Sequence, residues 1–185
     1  MYKMNLQLPK GYKRAVLVFD GAMSQPVVSV NGKEAGRWAY GYNAFRIDIT
    51  PYVKFGGKKN LVEVHLNNVE ESSRWYPGGG LYRPVSVELY GNENFSTWDT
   101  FVRTLKADKQ EAEVEVNALL EGKIGKSGKT VIALLDEAGT KVAEQTVSGA
   151  TPQIKTTLKV ANPQLWSPES PYLYQVKLTR YEGKK

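Results

Sequence analysis

The sequence predicts an all-β chain folded as two sandwiches, one over residues 1–91 and one over residues 92–185. Three observations carry this. Apolar residues recur with a period of two, the strand signature. Glycine-rich turns in the second half recur at roughly the 8–12-residue spacing of β-sandwiches. No stretch combines helical periodicity with capping residues.

Taken in order, Arg14–Asp20 (RAVLVFD) reads as a buried strand. Val27, Val28 and Val30 lead into Asn31-Gly32, a type I′ hairpin signal because both residues tolerate positive φ. Phe45, Ile47 and Ile49 alternate with Arg46, Asp48 and Thr50. Leu61, Val62, Val64 and Leu66 follow the Gly56-Gly57 turn, and Val85, Val87 and Leu89 alternate with Ser86, Glu88 and Tyr90. The polar run Gly91–Asn94 (GNEN) marks a boundary. A second series follows: Thr97–Leu105, Ala112–Leu120, Thr130–Asp136, Lys141–Val147, Ile154–Val160 and Tyr172–Tyr181. This second half has the strand count and turn spacing of an immunoglobulin-like sandwich. The first half offers fewer strands than the eight of a jelly roll and opens directly on a hydrophobic strand. It is therefore expected to be a jelly roll truncated at its N-terminus.

Composition excludes several chemistries. The chain of 185 residues contains no cysteine, so disulfides, thiolate nucleophiles and cysteine-based zinc sites are ruled out. His65 is the single histidine, which removes multi-histidine metal sites and leaves one base for a Ser-His-Asp arrangement. Its alternation with Val64 and Leu66 marks it as a surface strand residue. No metal or cofactor is expected. No apolar run approaches the roughly 18 residues of a membrane helix, and MYKMNLQLPKGYKRAV lacks the apolar core of a secretion signal.

The net charge is +6. Residues 1–91 carry 12 Lys and Arg against 7 Asp and Glu, and residues 92–185 carry 13 against 12. These charges are scattered along strands rather than gathered in a stripe, so solvated strand faces explain them better than a nucleic-acid surface. Neither nucleic acid nor membrane is expected as a partner. Trp38, Tyr40, Tyr42, Trp75 and Tyr76 sit near glycine and proline instead of inside apolar runs. Such rings suit stacking on the apolar faces of sugars, and equally suit plugging the ends of a sandwich.

The most unusual segment is Ser73–Val85, SRWYPGGGLYRPV. Three consecutive glycines do not belong in a strand interior. They belong where a loop turns sharply or where a backbone or ligand comes very close. Ser73, Arg74, Trp75 and Tyr76 supply a hydroxyl, a planar cation and two rings just before them, a suitable set for a polyol.

This segment resembles the Pro-Gly-x-Gly-Leu/Ile-Tyr-Arg-x-Val run in the sugar-binding domain of glycoside hydrolase family 2, the β-galactosidase and β-glucuronidase group. Val16–Gly21 (VLVFDG), Val28–Gly32 (VSVNG), Gly41-Tyr42 and Phe45–Ile49 (FRIDI) extend the likeness upstream. Asn162–Leu173 (NPQLWSPESPYL) is similar to a run near the end of the family's immunoglobulin-like domain. The resemblance implies a galactose-binding-like jelly roll followed by the immunoglobulin-like sandwich. It also implies a parent enzyme of the retaining two-carboxylate type whose (β/α)8 barrel lies beyond this segment.

On that implication the chain carries no catalytic residue of its own. Asn92-Glu93 matches the dipeptide that bears the family's acid/base, yet here it lies in a polar turn. Glu70 and Glu71 are adjacent, so on a strand they would point to opposite faces. Ser73, Arg74, Trp75 and Tyr76 are the expected substrate contacts. The position of a family aspartate that contacts galactose and sodium falls near Ser73 or Arg74, and neither is an acid. Arg83 is expected to serve the fold by pairing with a neighbouring loop, and Trp166 to pack in the core or between domains. The implied partners are a β-galactoside or related glycan and the barrel of the same polypeptide. A homo-oligomer is left open, as are a free-standing carbohydrate-binding module and a purely structural tandem sandwich. A secretion signal would lie upstream, and the periplasm or exterior is favoured over the cytoplasm.

Overall fold

The structure, a computed structural model, describes residues 1–69, 71 and 78–183. The chain divides into two compact units, Met1–Gly91 and Asn92–Lys185. Among the described residues every named element is a strand, apart from one 3-10 turn at Thr50–Tyr52.

The first unit contains β1 (Tyr2–Gln7), β2 (Arg14–Phe19), β3 (Val27–Val30), β4 (Lys33–Arg37), β5 (Phe45–Asp48), β6 (Lys59–His65) and β7 (Val85–Tyr90). They form two antiparallel sheets, ordered β1-β6-β3-β4 and β5-β2-β7. Alternation decides which residues meet. Ala15, Leu17 and Phe19 of β2 face Val28, Val30, Val62 and Val64 across a core that also holds Phe45, Ile47 and Ile49. The Asn31-Gly32 hairpin forms as its chemistry requires, with φ of 51° and 78°. Val16 and Val18, on the outer side of β2, are also buried. Arg46 of β5 and Glu88 of β7 pair above them, and the Tyr90 hydroxyl also bonds Glu88.

Strand β4 carries no period-two signal, and β1 carries one, Tyr2, Met4 and Leu6 alternating with Lys3, Asn5 and Gln7, without the burial that usually accompanies it. Strand β4 is polar and glycine-containing (KEAGR), and all of β1 except Leu6 is exposed. Tyr2 and Met4 lie opposite Val64 and Val62 in register, hence on the core face. Yet Tyr2 and Met4 are 46% and 54% exposed. The three-stranded sheet leaves that end of its four-stranded partner uncovered.

The second unit contains β8 (Glu93–Phe95), β9 (Phe101–Ala107), β10 (Glu111–Gly122), β11 (Lys129–Leu135), β12 (Lys141–Ser148), β13 (Gln153–Ala161) and β14 (Gln175–Tyr181). Strand β10 pairs β13 along one edge and both β9 and β8 along the other, while β12-β11-β14 forms the second sheet. Val116, Ala118, Leu120, Ile132, Leu134, Ile154 and Leu158 fill the space between them. Part of the polar run expected as a turn is a strand here: Glu93 and Asn94 pair with Gly122 and Glu121. The outer face of β10 presents Glu113 and Glu115 to cations on its neighbours, through Glu113–Lys159, Glu115–Lys155 and Glu115–Arg103.

Candidate functional site

The expected contact residues Ser73, Arg74, Trp75 and Tyr76 lie outside the described residues, as does Glu70. The structure does place the segments that lead to and from them. On the return, Gly80 forms a two-way backbone bridge with Met23: each amide donates to the other's carbonyl at 2.9 Å. Gly80 has φ of 144°, and a Cβ there would stand 3.0 Å from the Tyr2 hydroxyl. The backbone conformation therefore calls for glycine at this position, and the Tyr2 hydroxyl at the end of its half-exposed side chain could move aside. On the outgoing side, the Asn67 amide donates to the Ser24 carbonyl at 2.9 Å, and the Ser24 hydroxyl donates to the Asn67 carbonyl at 2.6 Å. Residues 23–24 thus hold both ends of the loop that contains the candidate contacts.

Tyr82 continues this anchoring. Its hydroxyl donates to the Gly41 carbonyl at 2.8 Å, and its ring lies so close to Gly21 that a Cβ would meet the hydroxyl at 2.6 Å. Arg83 lies over the Tyr82 ring and reaches the Asp20 carbonyl at 3.5 Å. Both contacts serve the fold.

Trp38, Tyr40 and Tyr42 lie at the same end of the unit as these anchors. Trp38 stacks on Phe45 with ring centroids 5.5 Å apart and planes 8° from parallel, and Phe45 stacks on Phe19 at 4.7 Å and 4°. A column of rings runs from the buried Phe19 to the half-exposed Trp38. The Trp38 indole N–H donates to Asn43 Oδ1 at 2.9 Å, which fixes the ring's rotation. One side of Trp38 packs on Phe45 at the end of the sandwich while the residue remains 39% exposed. Tyr40 and Tyr42 stand more exposed, tilted against each other at 5.6 Å.

Trp38 and Tyr40 line a cleft of about 550 Å³ together with Gln25, Val27, Arg37, His65 and Asn67. Val27 pairs with His65 on one side and Arg37 on the other, so the three form a cross-strand row on the outer face of the sheet. Gln25 and Asn67 close the end of the row, with the Asn67 amide donating to Gln25 Oε1 at 3.0 Å. Gln25 and Asn67 escaped the sequence reading because no local pattern ties residues 42 positions apart. His65 is exposed on its strand, as its alternation implied.

In the second unit Glu93 is a structural residue. Its carboxylate pairs with Arg180 at 2.7 Å and accepts from the Gly125 amide, and its side chain is 3% exposed. Burial by itself would raise the Glu93 carboxyl. The Arg180 and Gly125 hydrogen bonds and the Arg180 charge together bring it below the usual carboxylate range. Trp166, expected in a packed environment, is 58% exposed and borders an apolar groove of about 490 Å³ with Val102, Leu134, Leu173 and Val176. It is not a core residue of its unit.

Residues 95–185 match the family model described as glycosyl hydrolases family 2. The β-galactosidase BoGH2A of Bacteroides ovatus is 35% identical over 164 residues, covering 84% of this chain and 19% of that enzyme. The chain belongs to glycosyl hydrolase family 2. A crystal structure of a glycosyl hydrolase family 2 member from Bacteroides cellulosilyticus superposes with a TM-score of 0.82 at 34% identity, over 99% of this chain and 26% of that one. The structure of a β-glucuronidase from the same family gives a TM-score of 0.84 at 24% identity, which speaks for the fold alone. The chain thus spans about a fifth to a quarter of the length of these family 2 proteins.

Proposed function

We propose that this chain is the non-catalytic N-terminal part of a retaining β-galactosidase-like glycoside hydrolase. The first unit shapes a wall of the substrate pocket through the loop bearing Ser73, Arg74, Trp75 and Tyr76. The second supports the (β/α)8 barrel that carries the two carboxylates.

The observation that carries this reading is the extent of the match: most of this chain aligns, but only 19% of the Bacteroides ovatus β-galactosidase. The local structure supports a positioning role. Both flanks of the candidate loop are bonded to residues 23–24, of which Met23 is buried. Rigid attachment of this kind is what holding a substrate in a reactive geometry requires.

Hydrolysis of p-nitrophenyl β-D-galactopyranoside by the whole open reading frame and by this chain alone tests the proposal. The expected result is turnover by the former and none by the latter. Trp75→Ala in the whole enzyme is expected to lower kcat/KM by about tenfold or more. Hydrolysis by the isolated chain, or an unaffected Trp75→Ala enzyme, would overturn it.

A further inference from the structure

We propose that the loops at residues 8–13 and 53–59 form a lysine-rich surface that adsorbs to an anionic phospholipid bilayer. The contact is peripheral, and no helix among the described residues is long and apolar enough to cross a membrane.

Along the sequence the lysines concerned sit in two separate stretches, where they read as scattered charge. The fold joins the stretches. Leu8 and Phe55 form a parallel bridge, and the Leu8 carbonyl accepts from the Gly56 and Gly57 amides at 2.9 and 2.7 Å. Leu8 is 1% exposed, so the junction is anchored in the core. The Lys10 side chain runs past Gly56, its Cγ 3.5 Å from where a Cβ would stand. Lys10 and Lys13 thereby join Lys54, Lys58 and Lys59 in one region of the surface, and all five are exposed.

Their charge is not compensated locally. None of the five forms an ion pair among the described residues. Residues 1–19 and 49–62 contain no aspartate or glutamate. The flanking carboxylates are engaged elsewhere, Asp48 with Arg14 at 2.8 Å and Glu63 with Lys3 at 2.6 Å. Residues 1–91 carry 12 cations against 7 anions, an excess of five that equals the number of these lysines. A concentrated field of one sign draws anions to that surface.

Two observations favour a lipid surface over a nucleic acid. The unpaired cations are all lysines, which act as compact point charges in a diffuse field rather than as bidentate forks on single phosphates. Tyr12 is 40% exposed and lines a shallow cleft of about 400 Å³ with Lys10, Lys13 and Phe55. A tyrosine among lysines has the composition of the membrane–water interface, where the ring sits at headgroup level. Clustered lysines bind anionic leaflets by the same attraction.

Sedimentation of the 185-residue chain with vesicles tests this. Vesicles of phosphatidylcholine with about one-third phosphatidylserine are expected to retain it at low salt, and vesicles of phosphatidylcholine alone are not. Raising the salt from about 0.05 to 0.5 M should release it, because screening shortens the reach of the field. Lys54→Gln, Lys58→Gln and Lys59→Gln together are expected to weaken partitioning about 100-fold, at roughly fivefold per lysine. Lys109→Gln, Lys123→Gln and Lys126→Gln together remove the same net charge from exposed positions of the second unit. They are expected to change partitioning less than about fivefold. Tyr12→Ala should weaken it several-fold. No retention at low salt, equal retention by the two vesicle types, equal losses in the two triple variants, full binding by Tyr12→Ala, or binding to duplex DNA without binding to vesicles would each overturn the proposal. Hydrolysis is not read in this experiment, so failure of the proposed enzymatic role and failure of the lysine surface are told apart.

Discussion

Arg180 Nε lies 2.7 Å from Glu93 Oε2, an ion pair between residues 87 positions apart whose side chains are 8% and 3% exposed. The same guanidinium reaches the Gly125 and Gly149 carbonyls, and Gly125 returns its amide to Glu93. Strand β8 is thereby tied to strand β14 and to the turns beside β11 and β12. Glu93, the sequence's one mimic of a catalytic acid, is used to close a sandwich.

Breaking that pair from one side leaves a buried charge without its partner. Arg180→Met is therefore expected to cost about 3–5 kcal/mol, whereas Arg180→Met combined with Glu93→Leu costs much less. Urea denaturation of the two variants decides this. Equal losses in the single and double variants would remove the pair from the account.

Acid should weaken both units through named carboxylates. The hydrogen bond from Arg46, aided by the Tyr90 hydroxyl and the Arg46 and Arg14 charges, outweighs partial burial and holds Glu88 below its ordinary value. Glu93 is held low as described. A carboxylate lowered on folding stabilises fully above its unfolded value, about 4.3, and the benefit is lost as pH falls through the folded value. Urea midpoints measured from pH 7 down to about pH 3 should therefore fall below pH 4–5, and Glu88→Gln should flatten part of that slope. A Glu88→Gln slope identical to that of the unmodified chain would argue against this assignment.

Asn60 is fully buried and joins three segments of the first unit. Its carbonyl oxygen accepts from the Lys54 amide at 2.7 Å and from Asn31 at 3.0 Å, and its amino group donates to the Lys54 carbonyl at 2.9 Å. Asn60→Ala strands these groups, at an expected cost of about 2–3 kcal/mol. Thermal unfolding would show it, and a loss within about 0.5 kcal/mol would mean that water takes the place of the amide.

The uncovered edges predict self-association of the isolated chain. Tyr2 and Met4 on β1 and Val85 on the edge strand β7 are core-face apolar residues with 37% or more exposure. Unpaired apolar edges recruit other chains. Light scattering should show mass rising with concentration, and Met4→Lys should suppress the rise. A monodisperse monomer at high concentration would contradict this.

Strands with strong alternation were legible because burial on one face writes itself directly into the period of the sequence. Phe45–Asp48, Leu61–Val64 and Val85–Leu89 form as their pattern requires, Ala15–Phe19 forms as a continuous apolar run buried on both faces, and the Asn31-Gly32 turn follows from local backbone chemistry. Strand β1 also carries the alternation, Tyr2, Met4 and Leu6 against Lys3, Asn5 and Gln7, but exposure of its core-face residues is decided by the sheet packing and not by the pattern. Strand β8 was hidden because its charged residue is buried, and only a distant arginine makes that tolerable.

The sequence by itself determined the all-β class, the turn at Asn31-Gly32 and the family, through two motifs far apart in the chain. It also singled out aromatic residues near glycine and proline as worth watching. What those residues do was decided only by tertiary structure. Trp38 is held in place because Phe45 stacks against it, and Gln25 and Asn67 meet at the cleft from 42 residues apart. Local propensity has a range of a few residues. Ring stacking, amide pairing and the burial of Glu93 against Arg180 act between groups that only the folded chain brings together.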